Sequence, residues 1–460
     1  MSEQGLHKAL KAMHAGGVHP RAIAVFEHYY RELESGATGM IAEADIDPLV
    51  NPPRLVDLHI DAGVARQALA QTAVIKLNGG LGTSMGMDRA KSLLPVRDDR
   101  TFLDLIVEQV RRVRADHGVA LPLILMNSFH TRQDSLEALA AYPDLQVPGL
   151  PLDFLQNWQP KLRADDLTPV RWPADPSMEW CPPGHGDLYT ALEVSGLLQS
   201  LLDAGYRYAS VSNSDNLGAA PEPSIVGWFA NSGAPYAAEV CARTPADRKG
   251  GHLAVRKSDG RLVLRDTAQT SKEDLAAFIN GDRHAYFHTN NLWFDLRALS
   301  KALSERDGVL GLPLIRNVKT VDPADPSSPE IIQIETAMGA AIEVFDGAVA
   351  LEVPRSRFLP VKTTNDLLLV RSDVYHLDDQ VRLQPTVDQV PLVTLDAAHY
   401  KTITAFDARF PAGPPSLRGA ASLNVQGDWT FGAGVLVRGD AKLEDTGAAA
   451  RLEAGTVLGD

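Results

Sequence analysis

The chain has 460 residues, more than one ordinary core accommodates, so a division into two or three domains is expected. Its composition, 45% hydrophobic and 22% charged, is that of a globular protein, and the net charge of −14 argues against a general nucleic-acid binder, which carries a basic face. Cys181 and Cys241, the only cysteines, cannot build a disulfide framework. No apolar run approaches the ~20 residues of a bilayer span, and the start lacks the basic-then-apolar order of a secretory signal. A reduced, cytoplasmic setting with no membrane partner is expected.

Residues 1–70 read as a helical segment. From Arg21 to Leu33, Ile23, Phe26, Tyr30 and Leu33 recur at steps of three or four, the mark of one buried helix face. A proline-containing break from Asp47-Pro48 to Pro52-Pro53 closes that stretch. From 71 to 372, short apolar runs alternate with amphipathic helical patterns. AVIKL (73–77), LILM (123–126), YASVS (208–212) and YAAEV (236–240) read as strands. Residues 101–115 and 271–280 read as helices, each opening on a hydroxyl residue suited to N-capping. Ser271 with Asp274 forms a variant of the capping box. This alternation predicts an α/β domain with a mainly parallel sheet covered on both faces.

Residues 373–460 change character. Val425, Phe431, Val437 and Leu443 are six apart, as are Leu423, Trp429, Val435 and Ala441, with Gly427, Ala433 and Gly439 in the same period. A period of six with small residues at a fixed phase predicts the coils of a β-helix, with a break near Gly447–Ala450.

The chemistry gathers after the strand AVIKL. Asn78-Gly79-Gly80-Leu81-Gly82-Thr83-Ser84-Met85-Gly86 brings four glycines into one turn, which lets backbone approach a ligand and aim N–H groups at a phosphate. No Gly-Lys-[Ser/Thr] ends the loop, so it is not a P-loop. Met85 stands where the dinucleotide fingerprint needs its third glycine. Lys91, beyond the loop, is a point charge able to reach a triphosphate. Pro182-Pro183-Gly184-His185-Gly186-Asp187 would present backbone groups and one imidazole to a base or phosphate. Asp215, in Val211-Ser212-Asn213-Ser214-Asp215-Asn216, falls just past the carboxyl end of a strand, where ligands of open α/β sheets sit, and suits Mg²⁺ held against substrate phosphates. Lys362 is a cation after the apolar run Phe358-Leu359-Pro360-Val361.

KLNGGLGTSMG, PPGHGDLY, VSNSDNLGA, NNLWFDL (290–296), IETAMGAAIEVF (334–345) and VPRSRFLPVKTTNDLLLV (353–370), in consistent order, closely resemble the eukaryotic-type UTP–glucose-1-phosphate uridylyltransferase family. The resemblance implies a Rossmann-like, GT-A-like nucleotidyltransferase sheet domain with a C-terminal left-handed β-helix, and a Mg²⁺-dependent transfer between UTP and glucose 1-phosphate. It places Leu77, Asn78, Gly79 and Gly80 on UTP, with the glycine amides on the phosphates, and Lys91 on the triphosphate. Gln156 and Gly184 would read the uracil edge. His185, Asn213 and Ser214 would contact substrate, Asp215 would bind Mg²⁺, and Lys362 would be the catalytic cation at the α-phosphate. Asn291 and Glu335 resemble sugar-facing positions. The chain departs from the family at Met87-Asp88-Arg89-Ala90, where Cys and then Gly-Pro are usual before the lysine; without that proline the loop is freer. A broader UDP-sugar or UDP-N-acetylhexosamine pyrophosphorylase, a silent sugar-nucleotide sensor and an assembly scaffold are the competing expectations. The intact Lys91, Asp215 and Lys362 argue against silence. The open end of a stacked coil would offer a surface for a homo-oligomer.

Overall fold

A computed structural model describes residues 2–244, 247, 250–323 and 325–460. Its centre is a seven-stranded sheet whose strands, numbered in chain order, are β1 (Thr72–Asn78), β2 (Leu123–Asn127), β3 (Asp153–Leu155), β4 (Tyr208–Asn213), β5 (Tyr236–Ala242), β6 (Tyr286–Asp295) and β7 (Val349–Glu352). The spatial order is β7-β5-β6-β4-β1-β2-β3. Every neighbouring pair is parallel except the two made by β6, which runs antiparallel between β4 and β5. The architecture is therefore mixed α/β with a parallel-rich sheet, and the expectation of a mainly parallel sheet holds around one reversed strand.

Side-chain alternation along the strands splits the core into two faces. Val74, Tyr208, Ala237, Trp293 and Leu351 face helix Phe102–His117, helix Thr364–Arg371 and the C-terminal segment. Ala73, Ile75, Ala209, Val211, Ala238 and Leu292 face helices Leu188–Val194, Leu197–Asp203 and Leu296–Glu305. Helix Phe102–His117 starts as its sequence predicts: Thr101 caps the Asp104 N–H, Asp104 answers the Thr101 N–H, and Gly118 closes the helix in the left-handed conformation.

The N-terminal reading needs correction. Helices Ser2–Ala15 and Pro20–Glu34 form, and the second buries Ile23, Phe26, Tyr30 and Leu33, but residues 46–48 are a strand paired with His252–Arg256. In the remainder up to residue 70, Ala62–Ala70 is α-helical and Glu43–Asp45 and Leu55–Asp57 are single 3₁₀ turns. The predicted helix over 271–280 shrinks to Leu275–Phe278. Asp274, expected in its capping box, accepts instead from Arg265 and from the Glu43 N–H, so tertiary partners take the group that local capping needed.

In the C-terminal segment an antiparallel pair, Tyr375–Leu377 with Leu383–Pro385, is followed by strands that pair in parallel. Leu423 lies beside Ala441 and Val425 beside Leu443, eighteen positions on, which is three six-residue units. Trp429 lies beside Ala450 and Leu436 beside Val457, twenty-one positions on, so the break in period near Gly447–Ala450 accommodates three extra residues in that turn. Among the described residues no helix is long and apolar enough to cross a membrane.

Candidate functional site

A cleft of about 340 Å³ opens at the carboxyl ends of β1, β2 and β4, the position that ligands of open α/β sheets occupy. Its lining brings together Leu77, Gly79, Gly80, Lys91, Gln156, Gly184, His185, Asn213, Ser214, Asp215 and Glu335, eleven of the fourteen residues singled out from the sequence. Met126 and Pro182 line it as well, and composition gave no signal for either.

The glycine loop is held by its own backbone. The Lys91 N–H donates to Gly80 O, the Gly82 N–H to Arg89 O, and Leu81 bridges Ala90, so the two arms of the loop zip together. This pairing fixes the approach to Lys91 without the family's proline. Gly86, at φ +73°, makes the turn, and its bare Cα packs against Thr402 of the C-terminal segment, where a Cβ would sit 2.9 Å from the threonine methyl. At Gly79, a Cβ would meet the Gln156 amide at 2.8 Å, so the glutamine side chain lies directly over the loop.

Lys91 Nζ donates to Asp215 Oδ2 at 2.7 Å, and both side chains are mostly buried. The cation and the carboxylate neutralise one another inside the cleft. Among the described residues no group of three His, Cys, Asp or Glu side chains assembles to hold a metal. Asp215 is thus a carboxylate of the cleft paired with Lys91 and with no cluster of further ligands around it. That donor set fits Mg²⁺, which typically takes one or two protein carboxylates and completes its octahedron from phosphates and water.

The opposite wall is a loop docked onto a strand end. The Thr336 N–H donates to Pro183 O, the Gly186 N–H to Thr336 O, and the Met338 N–H to His185 Nδ1 at 2.9 Å. An imidazole accepting at Nδ1 carries its proton on Nε2 when neutral, which makes His185 a donor. Gly184, at φ +81°, passes so close to Glu335 and Thr336 that a Cβ would lie 2.7 Å from a carbonyl oxygen. Glu335 Oε1 accepts from Asn317 Nδ2.

Asp187, which the sequence reading did not assign, joins the two base-side residues. It accepts from the Asn157 N–H at 2.6 Å and from Asn157 Nδ2 at 2.8 Å, so the loop carrying Gly184 is tied to the loop carrying Gln156. Burial pushes its carboxyl up to about 6, against the pull of those bonds.

Three expected site residues do not line the cleft. Asn78 is 1% exposed and its amide donates to Asn127 and Ser135, so it braces β1 against its neighbours. Asn291 is 2% exposed on the reversed strand β6, donating to Glu239 and to Arg357 O. Its amide is held by these buried partners rather than lining the cleft. Lys362 is exposed on a strap beside the cleft: the preceding Val361 N–H donates to Asp215 O, and the Lys362 and Thr363 N–H groups cap onto Asp366.

A glycine turn, a lysine–aspartate pair and polar walls at the carboxyl edge of a parallel-rich sheet define an α/β protein built to hold a phosphorylated ligand. Comparison with known proteins narrows this. The model of the family described as UTP--glucose-1-phosphate uridylyltransferase matches residues 23–438, and the chain belongs to that family. It is 39% identical over 402 residues to the UTP--glucose-1-phosphate uridylyltransferase of Solanum tuberosum, covering 85% of this chain and 81% of the relative. To that of Saccharomyces cerevisiae it is 38% identical over 420 residues, covering 90% and 82%. Among solved structures, the Leishmania major UDP-glucose pyrophosphorylase, known in open and closed forms, superposes with TM-score 0.93 at 40% identity over 99% of this chain and 98% of that one. A substituted form of the Leishmania enzyme in complex with UDP-glucose gives 0.92 with the same identity and coverage.

Proposed function

We propose that the protein joins UTP and glucose 1-phosphate to give UDP-glucose and pyrophosphate, by in-line attack of the sugar phosphate oxygen on the α-phosphorus of UTP. The observation that carries this reading is the cleft itself, where the glycine loop, the Lys91–Asp215 pair and the Gln156–Gly184 wall converge in a chain of this family. One oxygen–phosphorus bond forms as the α–β phosphoanhydride bond breaks, and the electron pair leaves with pyrophosphate. No protein nucleophile is required, so the chain's part is positioning and charge stabilisation.

Leu77 and the Gly79 and Gly80 amides seat the triphosphate, and Lys91 offsets its charge. Gln156 and Gly184 read the uracil edge in an orientation that Asp187 maintains. His185, Asn213, Ser214 and Glu335 receive the sugar phosphate. Asp215 would hold Mg²⁺, which supplies Lewis-acid polarisation of phosphate oxygens when bound. For that, Lys91 must let go of Asp215 Oδ2 and turn to the phosphates, so ligand binding exchanges one ion pair for another. Lys362, exposed on its strap beside the cleft, serves the α-phosphate.

The C-terminal segment is read as a left-handed β-helix, supported by its eighteen-residue rungs. Its edge strand Val457–Leu458 is the surface through which copies of the chain would associate. A cytoplasmic location belongs to the same reading, supported by two free, buried cysteines.

Because a phosphoanhydride is exchanged for a phosphoanhydride, the reverse reaction tests the proposal well. UDP-glucose and pyrophosphate with Mg²⁺ should yield UTP and glucose 1-phosphate. A protein that binds UDP-glucose but forms no UTP would be a sensor, contrary to this reading.

A further inference from the structure

Four charged or amide side chains are buried together on one face of the central sheet, beneath the strap that carries Lys362. Glu239 on β5 is 0% exposed, and its carboxylate accepts four hydrogen bonds. Arg357 supplies two of them as a fork, Nε to Oε2 at 2.7 Å and Nη2 to Oε1 at 2.8 Å. Trp293 Nε1 and Asn291 Nδ2, both on β6, supply the others at 2.9 and 3.0 Å. Burial alone would raise the Glu239 pKa, but the Arg357 guanidinium outweighs it and keeps the carboxyl below its usual range.

From Arg357 the bonding continues along the strap to the cleft. Arg357 Nη1 donates to Ala220 O, and Arg357 O accepts from the amides of Asn291 and Asn216. Asn216 Oδ1 in turn accepts from the Leu359 N–H at 2.8 Å, Pro360 bridges Asn216, and the Val361 N–H reaches Asp215 O. Gly218 lets the two segments touch, since a Cβ there would lie 2.4 Å from Ser356 O. Asn216 and Asp215 are adjacent, so one continuous set of bonds joins the interior of β5 and β6 to the backbone of Asp215 in the cleft and to the residue before Lys362.

We propose that Glu239 and Arg357 are a positioning pair for nucleotidyl transfer, fixing the 357–362 strap to the Asp215 loop so that Lys362 is delivered to the α-phosphate in register. This rests on the transferase reading and on the role given there to Lys362. An ion pair of this kind is a poor source of net stability, since desolvation consumes most of its Coulomb gain. What it does supply is geometry: a bidentate fork admits one orientation of the strap. Neither side chain lines the cleft, so their effect on the reaction passes through Lys362.

The test uses the full chain. Glu239→Gln keeps the shape of the carboxylate and loses its charge, and misplacing the reacting groups by about 1 Å costs roughly 10²-fold. Single-turnover UDP-glucose formation at saturating substrates should slow on that scale, while the UTP Kd from calorimetry stays within about threefold. Should Glu239→Gln fail to fold around an unpaired Arg357, the paired change Glu239→Leu with Arg357→Met leaves no orphan charge and should melt cooperatively with the same split between rate and affinity. The decisive arm places these changes in a Lys362→Ala background, where no further loss of rate is expected because the group being positioned is gone. Full multiplicative loss in that background, or an undiminished rate in the folded variants, would overturn the positioning role while leaving the transferase reading intact. A wild-type protein with no turnover in the same assay would overturn both.

Discussion

Lys91 and Lys362 carry the same charge into different surroundings. Lys91 is mostly buried and paired at 2.7 Å with Asp215, whereas Lys362 sits exposed on the strap. A cation that grips the triphosphate lowers the free energy of bound UTP as well as that of the transition state, and one aimed at developing charge acts on the barrier alone. Lys91→Ala should therefore weaken UTP binding and turnover together. Lys362→Ala should reduce kcat by roughly 10²–10³, as for the loss of one oxyanion donor, with little change in UTP Kd. Calorimetry and pyrophosphate release on both variants separate the two. A Kd for Lys362→Ala that rises in proportion to its lost activity would make it a binding residue.

At the scale of the element, the glycines show which loops are built for contact. Gly184 and Gly196 both have positive φ, +81° and +73°, but only Gly184 is crowded, by Thr336 and Glu335. Gly196→Ala bears the left-handed backbone cost alone, about 1–2 kcal/mol, and should lower Tm while leaving UTP affinity unchanged. Gly184→Ala must also displace the Pro182–Asp187 loop from Thr336, so it should lower Tm and raise the UTP KM as well. Equal effects of the two substitutions on KM would show that the Gly184 wall does not touch the nucleotide. The glycine loop and Asp215 were legible in the sequence because each follows an apolar strand directly, and a strand end followed by glycine or by polar residues is a local signal. The buried pair was not legible: Glu239 and Arg357 stand 118 positions apart and meet because β7, which leads into Arg357, pairs in parallel with β5. The burial of Asn291 was hidden for the same reason. Its neighbours in sequence look like a site motif, but the reversed strand turns its amide into the core. The helix expected over 271–280 is shortened where Arg265, nine positions before Asp274, takes its carboxylate. The coil period was readable as a repeat, yet nothing in the repeat told that Thr402 would brace the turn at Gly86.

Across the whole molecule, one apolar core runs from the central sheet into the C-terminal segment, with Tyr400, Phe406, Phe410, Leu417 and Leu423 packed in the same cluster as Phe102, Ile106 and Leu368. The glycine loop is thus supported from both sides, and the stability of the site is that of the fold. Buried ionisable groups set its acid limit. His252 and His288 are pushed down to about 2 and about 4, first by desolvation. The unfolded chain protonates each near pH 6.5, so it binds more protons than the folded one and stability falls as pH drops below about 6.5. Asp187, raised to about 6, acts in the opposite sense, because between roughly pH 3.9 and 6 the folded state holds a proton that the unfolded state lacks. Urea denaturation at pH 7, 6 and 5 should show stability declining on acidification, by up to about 1.4 kcal/mol per pH unit for each unopposed histidine. Asp187→Asn should steepen the decline below pH 6. A wild-type stability that rises on acidification from pH 7 to 6 would contradict these assignments.

The central claim, that this cleft transfers a uridylyl group to a hexose phosphate, meets its most direct test in pyrophosphate release by the purified chain across the four nucleoside triphosphates and several sugar 1-phosphates, with Mg²⁺ and then in excess chelator. The account predicts rapid release with UTP and glucose 1-phosphate, weak release with CTP, ATP or GTP, and none once the metal is chelated. Release that is indifferent to the base, or absent with every sugar phosphate offered, would contradict it.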